Sequence, residues 1–116
     1  MNNELETMES QTPREFFEKI LPQRFKSEKT VGIDVKVQLH VTGPTGGDWA
    51  ITIKDQKIEI TEKTDPSATL TLQATDTDFM DIINHRLSVE KAFFTGKIKF
   101  KGNLGIALKL RDAGIL

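Results

Sequence analysis

A chain of 116 residues with 37% hydrophobic and 28% charged side chains has the balance of one globular domain, able to hide roughly 65% of the surface its unfolded form exposes. The 16 Lys+Arg nearly cancel the 17 Asp+Glu, giving a formal net charge of -1. The chain therefore lacks the basic excess through which nucleic-acid binders neutralise phosphates. With no cysteine, disulfides, thiolate metal sites and cysteine nucleophiles are all excluded, and no apolar run approaches the ~20 residues that span a bilayer. Met1 to Thr12 is polar and acidic, without the apolar segment of a signal peptide, so a soluble cytoplasmic protein is expected.

Residues 1–11 carry Glu4, Glu6 and Glu9 with no apolar period beyond Leu5 and Met8, and are expected to form a flexible tail. Residues 12–116 then make a single domain. Thr12-Pro13-Arg14-Glu15 reads as a capped helix start, followed by Phe16, Phe17, Ile20 and Leu21 at helical spacing. Pro22 is expected to stop that helix, with Phe25 just beyond. From Ile33 the period becomes two. Ile33, Val35, Val37, Leu39 and Val41 alternate with Asp34, Lys36, Gln38, His40 and Thr42, the pattern of a strand with one buried and one wet face. A Gly43–Gly47 turn, Trp49, Ile51 and Ile53, a second turn at Asp55-Gln56-Lys57, then Ile58 and Ile60 extend this into an antiparallel meander.

After a polar loop containing Pro66, Leu70, Leu72 and Ala74 form a fourth strand. Asp76 or Thr77 is expected to cap a helix bearing Phe79, Ile82 and Ile83, and Ser88 a shorter one closed by Gly96. Ile98 and Phe100 make a fifth strand, and Asn103 caps a last helix with Leu104, Ile106, Ala107, Leu108 and Leu110. The helical connection between strands four and five is long enough to permit parallel pairing. The fold class is α+β: one five-stranded, mostly antiparallel sheet with helices packed on one face.

Catalytic constellations do not emerge. His40 falls among Lys36, Gln38 and Thr42 on the wet face of the first strand, where solvation explains it. His85 sits at a helix end, where an imidazolium suits the dipole. No histidine pair has metal-ligand spacing, and no serine has a local activating partner. Asp76, Asp78 and Asp81 cluster at a helix start, where exposed N–H groups stabilise negative charge. The Gly43–Gly47 stretch lacks the Lys-Ser/Thr ending of a phosphate loop and leads into a strand. Neither an enzyme, nor a cofactor, nor a metal site is expected. Lys97, Lys99 and Lys101 share one face of the fifth strand, opposite Ile98 and Phe100. Such a row discourages edge-to-edge pairing; the alternative is weak contact with ligand head groups or an anionic membrane surface.

The run Ala92-Phe93-Phe94-Thr95-Gly96-Lys97-Ile98-Lys99-Phe100-Lys101-Gly102-Asn103, with the small and apolar helix after it, resembles the C-terminal signature of the sterol carrier protein type two, or non-specific lipid-transfer, family. The Asp76-Thr77-Asp78 helix start and the Gly-Gly-x-Trp hairpin at Gly46 to Trp49 are similar too, so the resemblance covers roughly residues 13–112. It implies an apolar tunnel between sheet and helices that holds fatty acids, fatty-acyl coenzyme A, sterols or other lipids without chemistry. The walls it implies are Phe17, Ile20, Leu21, Phe25, Phe79, Ile82, Ile83, Phe94, Phe100, Ile106, Leu108 and Leu110. Because burial of each methylene gains ~0.8 kcal/mol without directional contacts, broad ligand specificity is expected. The family's fold also serves as an accessory domain that holds an isoprenoid or quinone intermediate or recruits partner enzymes. Peroxisomal members end in a small-basic-leucine tripeptide; the ending Gly114-Ile115-Leu116 points instead to a stand-alone prokaryotic-type relative.

Overall fold

The computed structural model describes residues 10–116; most of the expected tail, residues 1–9, lies outside the described residues. At Ser10 the chain is already held, exchanging two hydrogen bonds (2.9 and 3.0 Å) with the Asn84 side chain. Thr12 then opens helix α1. Its hydroxyl accepts from the Glu15 N–H (3.1 Å), while the Glu15 carboxylate accepts from the Gln11 N–H (2.8 Å), one residue further back than in a standard capping box. The expected stop at Pro22 does not occur, and α1 continues over residues 13–24. It consists of an α-helical start, Pro13–Glu15, a π-helical stretch, Phe16–Ile20, and a last α-helical turn, Leu21–Arg24. Pro22 has no N–H to donate, and in a tight helix its ring would strike the preceding turn. In the wide turn before it the Leu21 N–H reaches the Phe16 carbonyl, which gives the ring room.

The meander forms as the alternation predicts, with β1 Val35–Thr42, β2 Gly47–Lys54 and β3 Lys57–Thr61. Two further strands, β4 Leu70–Thr75 and β5 Ile98–Lys101, complete a sheet of order β3-β2-β1-β4-β5. The parallel pair is β1 with β4; β4 and β5 are antiparallel despite the helices between them. Parallel pairing instead arises where residues 62–69 carry the chain from the β3 edge back to β4. One side chain organises that passage. Gln38, expected in water, is only 3% exposed. Its amide donates to the Trp49 and Lys63 carbonyls (3.2 and 3.1 Å), and its oxygen accepts from the Asp65 N–H (2.6 Å). An exposed position on the sheet's outer face is thus turned into an anchor for the crossing loop. His40, also on the outer face, meets its cross-strand partner Asp48 at 2.6 Å rather than solvent alone.

Helix α2, Asp76–Ile83, is capped by Thr75, not by Asp76 or Thr77: its hydroxyl accepts from the Asp78 N–H (3.1 Å). Strand β4 stays extended through Thr75, so Asp76 is already the first helical residue and its carboxylate is released for another task. It accepts from the Thr45 N–H and hydroxyl (3.0 and 2.9 Å), tying the β1–β2 turn to the helix. Gly43 makes this approach possible, since a Cβ there would collide with the Asp76 carboxylate and its φ is 105°. Ser88 and Asn103 cap α3, Val89–Phe94, and α4, Leu104–Asp112, as expected. Each of these four helices contributes buried side chains to one core cluster with the apolar inner face of the sheet.

Two outcomes test these anchors. Gln38→Leu leaves the Asp65 N–H without its acceptor and should destabilise the fold by about 1–3 kcal/mol in urea unfolding, with new proteolytic cleavage between residues 62 and 69. The Thr45 backbone and then hydroxyl hydrogen bonds hold the Asp76 carboxyl below the usual carboxylate value. Stability from this link is therefore present above the unfolded-state pKa of about 3.9 and is lost as the pH falls through the lower folded value. An NMR titration placing the Asp76 midpoint at or above the unfolded value would contradict the assignment.

Candidate ligand-binding site

The inner face of the sheet is lined by Val35, Val37, Leu39 and Val41 of β1, flanked by Ile51 and Ile53 on one side and Leu70 and Leu72 on the other, all buried. Against it the helices set an aromatic cluster. Phe17 stacks between Trp49 (4.6 Å) and Phe79 (5.5 Å), and Phe16 meets both Phe17 and Phe79 edge-on. Offset and edge-on rings each add about 0.5–1.5 kcal/mol beyond the area they bury. The gap bounded by Leu39, Leu72, Ala74, Phe79 and Ile98 leaves no room for a water molecule. At this spot the protein's own side chains leave no opening.

Among the implied walls, Phe17, Ile20, Leu21, Phe79, Ile82, Ile83 and Leu110 are buried within this one cluster, whereas Phe25, Phe100 and Ile106 pack against it half-buried. Leu108 is half-buried as well. Phe94 is not a wall. It is 84% exposed, because in the short α3 the buried residue is Ala92, and two positions later, some 200° around the helix, the side chain faces away. Lys97, Lys99 and Lys101 are exposed on the outer side of β5, as the alternation predicts.

Open volume lies instead at the helical rim. A cleft of about 340 Å³ is lined by Arg24, Lys26, His85, Arg111, Asp112, Gly114 and Leu116. Its neighbour, of about 320 Å³, is lined by Ile82, Leu87, Val89, Ser88 and Glu90 and shares His85, Arg111 and Leu116 with the first. Both clefts mix charged and apolar lining, the first adding Arg24 and Lys26 and the second Ile82, Leu87 and Val89, and Leu116 lines both. A third cleft, about 390 Å³, opens on the opposite flank between α1 and β3, beside Phe17, Pro22, Trp49, Ile58 and Ile60, with Glu18 and Glu62 at its edge. Among the described residues no group of three or more His, Asp or Glu side chains gathers as a metal site, and no helix is long and apolar enough to cross a membrane.

The chain after α4 builds the paired clefts. The Ile115 N–H donates to the Leu110 carbonyl and the Gly114 N–H to the Arg111 carbonyl (both 3.1 Å), with Gly114 at φ 95°: a Schellman closure with Ile115 as its apolar follower. Arg24, from the end of α1, donates to the Gly114 and Ile83 carbonyls (2.9 and 2.8 Å), and the Lys26 N–H donates to Ala113 (2.9 Å). Ile115 and Leu116 are thereby held at 0% and 3% exposure. Arg111 pairs with Glu90 and, at 3.3 Å, with Asp112, both partly exposed ion pairs of small individual worth. Sequence reading passed over Arg24, Lys26, Arg111 and Leu116. The glycine two residues after the last basic turn was the available signal for the closure; nothing local signalled the clamp between residues 90 positions apart.

A mixed five-stranded sheet with one helix-covered apolar face defines a small α+β domain with clefts between helix ends and beside β3. The model of the SCP-2 sterol transfer family matches residues 17–113, and the chain belongs to that family of lipid-binding and lipid-transfer domains. It is 33% identical over 72 residues to human sterol carrier protein 2, a match covering 60% of this chain and 13% of that protein. Among solved structures, the sterol carrier protein domain 2 of Helicoverpa armigera superposes with a TM-score of 0.63 at 28% identity, covering 86% of this chain and 80% of that one. A double mutant of the sec-alkyl sulfatase PisA1 gives 0.74 at 25% identity, covering 90% of this chain and 16% of that one. The chain thus spans a small part of the full-length relatives it matches.

The two kinds of burial predict different mutational costs. Leu110→Ala, deep in the cluster at 0% exposure, should cost about 2–5 kcal/mol in chemical denaturation. Leu116→Ala should cost clearly less, because both adjoining clefts are open and water can follow the truncation. Equal losses would mean that the clefts are not free space.

Proposed function

We propose that this chain takes up apolar ligands with an acidic head, of the fatty-acid or fatty-acyl kind, at the paired clefts beside Leu116, and passes them on without altering them. The observation that carries the reading is the side-by-side placing of an apolar slot (Ile82, Leu87, Val89) and a cationic one (Arg24, Lys26, Arg111) with Leu116 in common. An acyl chain entering the apolar slot would displace Leu116 and extend toward the aromatic cluster. The lost packing of one leucine is offset by methylenes at ~0.8 kcal/mol each. The carboxylate or phosphate head would meet Arg111 and Lys26, exchanging with the partly exposed Glu90 and Asp112 pairs. Sterols, which lack a charged head, would gain from the apolar slot alone. The chain's family membership supports lipid as the ligand class, and a cytoplasmic setting is part of the same reading.

An accessory role is the second reading, in which the domain holds an isoprenoid or quinone intermediate or recruits enzymes. It is favoured by the relatives in which the matched region is 13% or 16% of a much longer protein.

Native mass spectrometry of the freshly purified chain, with titration by a fluorescent fatty acid and a fluorescent sterol, tests the proposal. A bound acyl lipid and micromolar fatty-acid affinity are expected, with loading raising stability by about 2.7 kcal/mol at a hundredfold excess over Kd. The double variant Lys26→Gln/Arg111→Gln should weaken fatty acids at least about tenfold and leave the sterol nearly unchanged. Absence of any lipid association at micromolar concentration overturns the carrier reading. Binding without exchange between vesicles, together with copurifying enzymes, would favour the accessory role.

A further inference from the structure

The segment 91–110 holds five of the chain's 16 basic residues and none of its 17 acidic ones, although the whole chain is net -1. Lys91, Lys97, Lys99, Lys101 and Lys109 are all exposed. Within the same segment lie three of the four large apolar side chains that the described residues expose: Phe94 at 84%, Leu104 at 47% and Phe93 at 40%. Phe93 and Phe94 form an aromatic ridge beside the edge strand β5. Phe93 touches Phe94 (5.9 Å) and Phe100 (5.5 Å), both edge-on, and Leu104 begins α4 three residues after β5 ends.

A lysine row alone is explained as a guard on an open sheet edge. That account leaves the ridge unexplained, since an edge guard has no use for an 84% exposed phenylalanine beside it. Capping and packing do not require it either: α3 is anchored through Ala92, and the Lys97 N–H donates to the Ala92 carbonyl whichever residue occupies position 94. Acidic groups border the region without neutralising it. Glu90 is paired with Arg111, and Asp78 lines a shallow cleft of about 200 Å³ with Lys97 and Lys99.

We propose that this edge is a membrane-docking surface, with Phe93, Phe94 and Leu104 entering the interface of an anionic bilayer and the five lysines meeting its head groups. The charge pattern selects this occupant. Aromatic and leucine side chains in a segment whose charged residues are all lysines match an apolar interior bordered by negative head groups, and long lysine stems let ammonium groups reach the head groups while staying wet. The proposal extends the lipid-carrier reading by naming where the carrier meets the membrane, and the two are measured separately.

The test is vesicle flotation of the full chain with phosphatidylcholine alone and with about 30% phosphatidylserine. Binding is expected only to the anionic vesicles, falling steeply as salt rises. Lys97→Gln/Lys99→Gln/Lys101→Gln should lower the partition coefficient about 100-fold, and Phe94→Ser at least about tenfold, with thermal unfolding checking that each variant stays folded. A chain carrying Phe94→Trp should show blue-shifted emission, quenched by brominated lipid, on anionic vesicles. The surface assignment is overturned by equal binding to neutral vesicles, by wild-type binding of either variant, or by self-association that Phe94→Ser abolishes. Fatty-acid uptake measured without vesicles keeps the outcomes apart. Uptake without docking removes this surface only, and docking without uptake removes the carrier reading only.

Discussion

The inner face of the sheet is apolar along its central strands, from Val35 to Val41 on β1 and across to Leu70 and Leu72 on β4. In water such a face must be covered, at about 25 cal/mol for each square ångström hidden, and nearly every other feature follows from how this is done. Helices α1 and α2 expose few large apolar side chains because their apolar stripes are spent on this face, whereas α3 and α4 leave Phe93, Phe94 and Leu104 exposed. Helix α1 tolerates a proline and a widened turn because Phe16, Phe17, Ile20 and Leu21 must all reach the sheet from one short helix. The short residues Ala92 and Ala107 are buried in the same core on α3 and α4.

What the residues announced on their own was anything governed by local period. The strands, three of the helix starts and the buried rows appear where alternation and capping put them, since these depend on neighbours within a few positions. Pro22 misled because the rule for an α-helix does not cover a π turn, and the compensation lies five residues upstream. Gln38 misled for a different reason. A polar residue on the wet face of a strand looks the same whether it meets water or the backbone of a loop 25 residues away. The parallel seam between β1 and β4 was likewise invisible, being a property of the route taken by residues 62–69.

The site was less legible than the fold, and for the same reason. Most of the residues implied as tunnel walls are buried in the core or packed against it, but apolar composition does not distinguish a filled space from an empty one. Free space depends on where helix ends fail to meet. One such place is the corner where Arg24, the α2–α3 connection and the chain after α4 converge. Cationic groups gather at this corner because α1 and α4 both end in basic residues, an arrangement the helix dipole favours. The amphipathic character of the paired clefts is thus a by-product of helix termination.

The seam between β1 and β4 also divides the chain into two folding halves. The first, through β3, is built from neighbouring hairpin strands and needs only short-range closure, whereas the seam joins residues more than 30 positions apart and carries the larger entropic barrier. Arg24 and Lys26 belong to the first half, Ile82, Arg111 and Leu116 to the second. The paired clefts, unlike the one between α1 and β3, consequently do not exist until the seam has zipped.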